Sequence, residues 1–355
     1  MAKFPPQPPH GRGATGSPDN RYAAHQREWV DDGWGSLTAL PTLRTELQVD
    51  TSRTVITYND SPDVPFDRSI NPYRGCEHGC VYCFARPTHA WLGLSPGLDF
   101  ESRLFHKPDA PALLRQELAK SGYRCAPIAL GINTDAYQPV ERELRLTRAL
   151  IEVLGEHAQP FSVITKSALI ERDIDLLAAL ARRGLAHVAV SLTTLEHSLA
   201  RRLEPRAAAP QRRLETIRRL RAAGIPVTVL IAPLIPVLTD HELEDIMAAA
   251  REAGALDCGY VLLRLPLEVD ELFQDWLRTH VPLQAERVMN RLCDCRGGRN
   301  YDSRFGRRMR GEGEYANLLS RRFRLAYRKL GFADTPPLDC TQFRVPGRAV
   351  QLGLF

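Results

Sequence analysis

Short β-rich apolar runs recur along the middle of the chain, each followed by an amphipathic segment. This alternation limits the fold more than any other feature. The runs are "PIALGIN" (127–133), "FSVITK" (161–166), "HVAVSLT" (187–193), "PVTVLIAPLIP" (226–236) and "YVLLRLPL" (260–267). Between them, "RELRLTRALIEVLGEH" puts Leu146, Leu150, Val153 and Leu154 on one helical face. "APQRRLETIRRLRAAG" does the same with Leu214, Ile217 and Leu220, while arginines cover the other side. Thr239 and Glu242 have capping-box spacing ahead of "DHELEDIMAAAREAG", and Gly224 and Gly254 stand where helices should stop. Strands alternating with helices predict parallel βαβ units. A further strand near residues 68–74 brings the count to six, and "RTVITYN" (53–59) alternates like a strand as well. Six units fit an open doubly wound sheet or an incomplete barrel. Both place their site at the C-terminal strand ends.

The ends of the chain read differently. Residues 1–35 hold five prolines and five glycines with little periodicity, which predicts a disordered tail. "MAKFPPQPPHGRGATG" has positive charge but no apolar stretch behind it, so a secretory signal is not expected. The longest apolar run, "VTVLIAPLIPVL", is 12 residues broken by two prolines, too short to span a bilayer. No membrane association and a cytoplasmic location are the expectations. Past about residue 290 the rhythm stops, and residues 291–330 carry twelve Arg or Lys against four Asp or Glu. That net of +8 leaves −3 for the rest of the chain. Tyr301, Phe305, Tyr315, Phe323 and Tyr327 are interleaved with those arginines. Arginines neutralise phosphates and aromatics stack on bases, so nucleic acid is a permitted partner of this segment. The competing reading is a solvated helix whose aromatics pack on the body.

Eight cysteines are present, and three of them crowd into "GCEHGCVYCFAR" (75–86): Cys76-x3-Cys80-x2-Cys83, at the end of the first predicted unit's strand. In a reducing compartment such a cluster points to metal rather than disulfides. Thiolates select zinc and iron–sulfur clusters. A structural zinc needs four protein ligands, and no fourth stands at finger spacing. His78 sits inside the loop, poorly placed to turn its ring onto the same metal, and His89 has no companion. A 4Fe–4S cubane solves this differently: three thiolates hold three irons, and the open iron takes an exogenous ligand.

The CxxxCxΦC pattern, with Tyr82 before the last cysteine, resembles the cluster-binding loop of the radical S-adenosylmethionine (SAM) superfamily. "GINTDAYQP", "ITKS", "SLTT" and "LIAP" at successive strand ends resemble its spore photolyase-like branch. The resemblance implies a partial (β/α)6 TIM-like barrel over residues 51–285. An N-terminal tail (1–50), largely disordered or irregular, would precede it, and a basic C-terminal extension (286–355) would follow. It implies a 4Fe–4S cluster on Cys76, Cys80 and Cys83, SAM on the open iron, and a reductant such as flavodoxin or ferredoxin. Reductive cleavage of SAM would yield a 5′-deoxyadenosyl radical that abstracts hydrogen from a substrate, with nucleic acid or a nucleotide as the leading guess. Tyr82 would contact adenine. Asn133 and Thr134 would hold the amino group or ribose, Lys166 and Ser191 the carboxylate or hydroxyls, and Arg206 is a second candidate for the carboxylate.

Bland roles fit some of these residues too: Lys166 as a strand end, Arg206 as a surface or cap residue, Asp135 as a helix cap. Two departures stand out. The superfamily's common Gly-Gly-Glu sequence at the second strand is replaced by "NTD", and Ile132 stands where the spore photolyase branch carries its cysteine hydrogen donor. Cys125 reads as a buried inert thiol. Cys293 and Cys295 form a CxC that fits a second metal, a redox pair or a hydrogen donor. The alternative to the enzyme is a nucleic-acid-binding protein with a structural zinc site.

Overall fold

The computed structural model describes residues 11–22 and 43–345. In chain order the strands are β1 (Glu46–Val49), β2 (Ile56–Tyr58), β3 (Arg68–Ile70), β4 (Tyr73–Arg74), β5 (Arg103–His106), β6 (Ile128–Leu130), β7 (Phe161–Thr165), β8 (Ala186–Ser191), β9 (Val227–Leu234) and β10 (Asp257–Leu262). The first helices are α1 (Leu98–Ser102), α2 (Ala110–Leu118), α3 (Glu141–Leu144), α4 (Leu146–Glu156), α5 (Ile174–Ala181) and α6 (His197–Leu203). They are followed by α7 (Pro210–Ala222), α8 (Leu243–Glu252), α9 (Glu268–His280), α10 (Ala285–Asp294) and α11 (Gly313–Lys329).

The main sheet has seven strands in the order β10-β9-β8-β7-β6-β3-β2. Six of them, β3 and β6 through β10, pair parallel, as the six units require. β2 adds an antiparallel edge beside β3. A small second sheet, β1-β5-β4, stands beside the cysteine loop. Strand order in the main sheet follows chain order without reversal. A doubly wound sheet needs a reversal point, so the choice left open by the alternation falls to the incomplete barrel.

Burial alternates along the strands. Phe161 and Val163 of β7, Val188 and Val190 of β8, and Val227, Val229 and Ile231 of β9 are buried in one core with Leu150, Leu154, Leu177, Ile217, Leu220 and Ile246 from the helices. The residues between them, Ser162, Ile164, His187, Ala189, Thr228 and Leu230, are only half-buried. Side chains alternate between faces of a sheet, so the helices cover one face and leave the concave face accessible. Gly224 and Gly254 end α7 and α8 with φ of +80° and +98°, as expected of helix stops. The capping box does not form. Thr239 Oγ1 accepts from the Ile235 N–H at 2.9 Å instead, and Glu242 accepts from Thr194 Oγ1 and the Leu195 N–H, tying the loops after β8 and β9 together.

The two edges of the sheet are joined by the C-terminal segment. The Leu262 N–H of β10 donates to Met309 O at 2.8 Å, while Arg308 and the Gly306 N–H both donate to Asp63 in the β2–β3 loop. Residues 11–22 form neither helix nor strand, yet Arg12 through Gly16 are buried against the cysteine loop.

Candidate active site

The cysteine loop leaves β4 and is bolted down from four sides. The Cys76 N–H donates to Phe100 O of α1 at 2.9 Å, and the Val81 N–H to Leu203 O of α6 at 3.1 Å. Thr134 Oγ1 and Gln138 Nε2, from the loop after β6, donate to Gly75 O at 2.7 and 3.3 Å. Beneath the loop, Arg86 is 0 % exposed and donates to the carbonyls of Gly79, Cys80, Pro96 and Gly97. Its charge is met by the equally buried Glu101. Glu101 also accepts the N–H groups of Gly13 and Ala14 at 2.9 and 2.8 Å, bringing the N-terminal segment onto the loop. Close approach demands glycine here: a Cβ on Gly13 would lie 1.7 Å from Gly79 O, and Gly79 itself has φ of +66°.

Cys76, Cys80 and Cys83 are free thiols. Burial pushes all three up, Cys80 to about 12. Cys76 is raised further by the field of Asp135 and by the other two thiols, so the three stand within electrostatic reach of one another. Lys166 opposes the rise at Cys80 and Cys83, and Arg86 does so at Cys83. Three unbonded sulfurs beside a cation suit an iron–sulfur cluster, whose thiolates bind separate irons. Among the described residues no three His, Cys, Asp or Glu side chains gather in the manner of a single-ion site, and the zinc alternative gains no support. His78 faces away, its Nδ1 3.2 Å from Asp135 Oδ2. His89 is buried edge-on against Phe100, with Nε2 2.9 Å from Arg103 O and its pKa lowered to about 4 by burial.

The remaining predicted residues gather around this loop unequally. Lys166 Nζ donates to Ser191 Oγ at 3.0 Å and stands 5.8 Å from the Tyr82 ring centroid. Tyr82 is buried, its hydroxyl donating to Glu204, with Thr193 Oγ1 3.3 Å away. Glu204 also takes Arg213 in a buried ion pair. Burial raises the Glu204 pKa, but Arg213 and Lys166 hold it down to about 2. Asp135 accepts from Thr165 Oγ1, the Lys166 N–H and the Tyr137 N–H. It is not the helix cap that the sequence allowed, since α3 starts at Glu141 behind Val140; with His78 it pins the β7 end to the cysteine loop instead. Thr134 spends its hydroxyl on Gly75 O, whereas Asn133 is exposed and only its N–H is engaged, by Asn71 Oδ1 at 2.8 Å. Arg206 lies over the loop, its N–H donating to His78 O and its guanidinium 3.0 Å from Glu77.

Sequence reasoning missed Arg86, Glu101, Gln138, Glu204 and Arg213, all buried polar residues that hold the loop. The signal for Arg86 and Gln138 was weak but present, since they lie in the quoted stretches "GCEHGCVYCFAR" and "GINTDAYQP".

In the basic segment, most arginines are occupied within the protein. Arg304 pairs with Asp302, Arg307 with Glu312, Arg308 with Asp63 and Arg322 with Glu244. Arg296 donates to four backbone carbonyls, and Arg310 stacks on Tyr260 with the guanidinium 3.9 Å from the centroid. Phe323 packs against Tyr260. Packing on the body accounts for most of this segment. Cys295 is buried in the main core, and Cys293 Sγ lies 3.0 Å from Asn300 Oδ1. Cys125 is half-buried rather than buried as expected, with Gln159 Oε1 3.5 Å from its Sγ.

The family model of the radical SAM superfamily matches residues 70–250. The chain belongs to that superfamily. An uncharacterized protein of Mycobacterium tuberculosis is 39 % identical over 223 residues, 62 % of this chain and 66 % of that protein. An uncharacterized protein of Methanocaldococcus jannaschii is 27 % identical over 222 residues, 62 % of this chain and 79 % of that one. The chain thus matches just under two thirds of the mycobacterial relative's length. Among solved structures, a spore photoproduct lyase with bound AdoMet and dinucleoside spore photoproduct superposes with a TM-score of 0.53 at 15 % identity, covering 81 % of this chain and 80 % of that one. That likeness shows a shared fold. Among the described residues no helix is long and apolar enough to cross a membrane.

Proposed function

We propose that this protein is a radical SAM enzyme whose core spans residues 51–285, with a 4Fe–4S cluster held by Cys76, Cys80 and Cys83. The observation that carries the proposal is the trio of free thiols at the strand ends, Cys76 and Cys80 buried and Cys83 half-buried, with Lys166, paired to Ser191, acting on Cys80 and Cys83. When bound, the cluster supplies the electron that breaks the sulfonium bond of SAM, leaving methionine and a 5′-deoxyadenosyl radical.

The chain's own residues bind and orient. Lys166 and Ser191 offer a cation and a hydroxyl to the SAM carboxylate, and exposed Asn133 offers an amide to the amino group or ribose. Tyr82 and Thr134 support the adenine and amino ends while bracing the loop through Glu204 and Gly75. Arg206, already paired with Glu77, is the second carboxylate candidate. The buried network below the loop, which the segment from Arg12 to Gly16 joins at Glu101, fixes the loop and keeps water from its underside. All eight cysteines are free, which fits a reducing cytoplasmic setting and a flavodoxin- or ferredoxin-like reductant. The substrate named for the spore lyase is not carried over, because Ile132 has no thiol hydrogen to give.

The test is anaerobic reconstitution with iron and sulfide, then dithionite reduction with SAM. Brown protein that forms 5′-deoxyadenosine is expected. Colourless protein binding a single zinc, or no 5′-deoxyadenosine under several reductants, would overturn the reading.

A further inference from the structure

We propose that Arg264 is an anion-binding residue of the substrate site, and that it takes a phosphate of a nucleotide unit. The proposal rests on reading the barrel mouth as a radical SAM site, and it names the chemistry of the wall at the far edge of the sheet.

Arg264 stands two residues past the C-terminal end of β10. Its guanidinium lies 5.0 Å from the ring centroid of Phe84, the residue next to Cys83. Its other contacts are Met309 Sδ at 3.7 Å and the Tyr301 hydroxyl at 3.4 Å. Among the described residues no carboxylate forms an ion pair with it. Asp63 feels its field, but the oxygens of that carboxylate are taken by Arg308 and the Gly306 N–H. Arg296 is a cation close enough to repel it. Arg264 Nε is buried with no hydrogen-bond partner.

A half-buried cation that no carboxylate among the described residues pairs with is costly, and an anion reaching the outer nitrogens of its guanidinium would relieve that cost. The planar fork of arginine grips two oxygens of one phosphate at once. Beside it, Phe84 is 39 % exposed, so a flat ring is available to stack a base. The surplus of positive charge along this wall favours a phosphate over a singly charged carboxylate. A free nucleotide and a phosphodiester within a strand share this chemistry.

The test measures binding of a labelled single-stranded DNA oligonucleotide to the reconstituted full chain by anisotropy, across a salt series. Thymidine monophosphate and inorganic phosphate serve as competitors. R264Q should weaken binding about tenfold or more and lower the salt slope by about one. R321Q removes the same charge from the exposed face of α11 and should stay within about twofold of wild type. R264K should fall between, because it keeps the charge but loses the fork. Effective competition by the monophosphate would mark a free nucleotide as the ligand, and competition only by unlabelled oligonucleotide would mark a strand; either supports the proposal. No nucleotide binding by wild type, an R264Q affinity equal to wild type, or an equal loss in R321Q would overturn it. If R264Q does not fold, R264K decides, and wild-type affinity in that variant is the contrary result. The 5′-deoxyadenosine assay on wild type needs no nucleotide, so the parent reading stands or falls separately.

Discussion

Arg86 acts on Cys83 and Arg264 lies 5.0 Å from the ring of the next residue, Phe84, and they do opposite work. Arg86 is sealed under the cysteine loop with its donors on backbone carbonyls and its charge on Glu101. Arg264 rests on the aromatic face of Phe84, and among the described residues no carboxylate forms an ion pair with it. The same contrast separates their regions. Charges around the cysteine loop are paired out of contact with solvent, as in Arg86–Glu101 and Arg213–Glu204. Charges in the 291–330 segment are more numerous and their arginines more exposed, paired locally in Arg304–Asp302 and across the chain in Arg308–Asp63. Number of arginines is therefore a poor guide to function. What matters is which cation lacks a partner.

The predictions that test this contrast run from total loss to near silence. Cys76→Ala, Cys80→Ala or Cys83→Ala should abolish the visible absorbance and reduce 5′-deoxyadenosine formation to background; a variant that keeps both would remove its cysteine from the site. Glu101→Ala would strand Arg86 in the interior, and breaking such a buried pair costs about 3–5 kcal/mol. A urea midpoint unchanged from wild type would mean that the pair does not hold the loop.

Acid should weaken the cysteine-loop side through Glu204. Its carboxyl is lowered from 4.5 to about 2 in the folded protein. A depressed carboxylate adds stability above the unfolded value that is lost as pH falls through the folded one. Between pH 4.5 and about 2 the protein should thus lose on the order of a few kcal/mol through this group. In Glu204→Gln the acid limb of a stability–pH curve should flatten; an unaltered limb would assign that loss to other carboxyls. Gly13→Val should drive the N-terminal segment off Gly79 and speed bleaching of the absorbance in air by several-fold, with unchanged decay counting against a shielding role. Least affected is Arg322→Gln, which breaks a partly exposed pair with Glu244 and should cost less than about 1 kcal/mol in thermal or urea unfolding.

Much of this was legible in advance, and the reason is range. Periodicity and glycine stops are local properties, so the six parallel units and the ends of α7 and α8 could be read directly. The cysteine spacing is equally local, and so is the Lys166 at the end of "FSVITK". The capping box misled because each residue is taken by a partner outside it: Thr239 by the Ile235 N–H four residues back, and Glu242 by the loop after β8, 48 residues away.

From the order of residues alone came the parallel alternation, the three-thiol loop and the cation-bearing strand end, since each is written within one turn or one strand. Only the folded chain decided the barrel over the open sheet, the burial of Arg12 to Gly16 against the loop, the pairing of Arg86 with Glu101, and the lack, among the described residues, of a carboxylate paired with Arg264. Pairing of charge depends on what long-range folding brings within a few ångströms, and a linear count of arginines and acids holds no record of that.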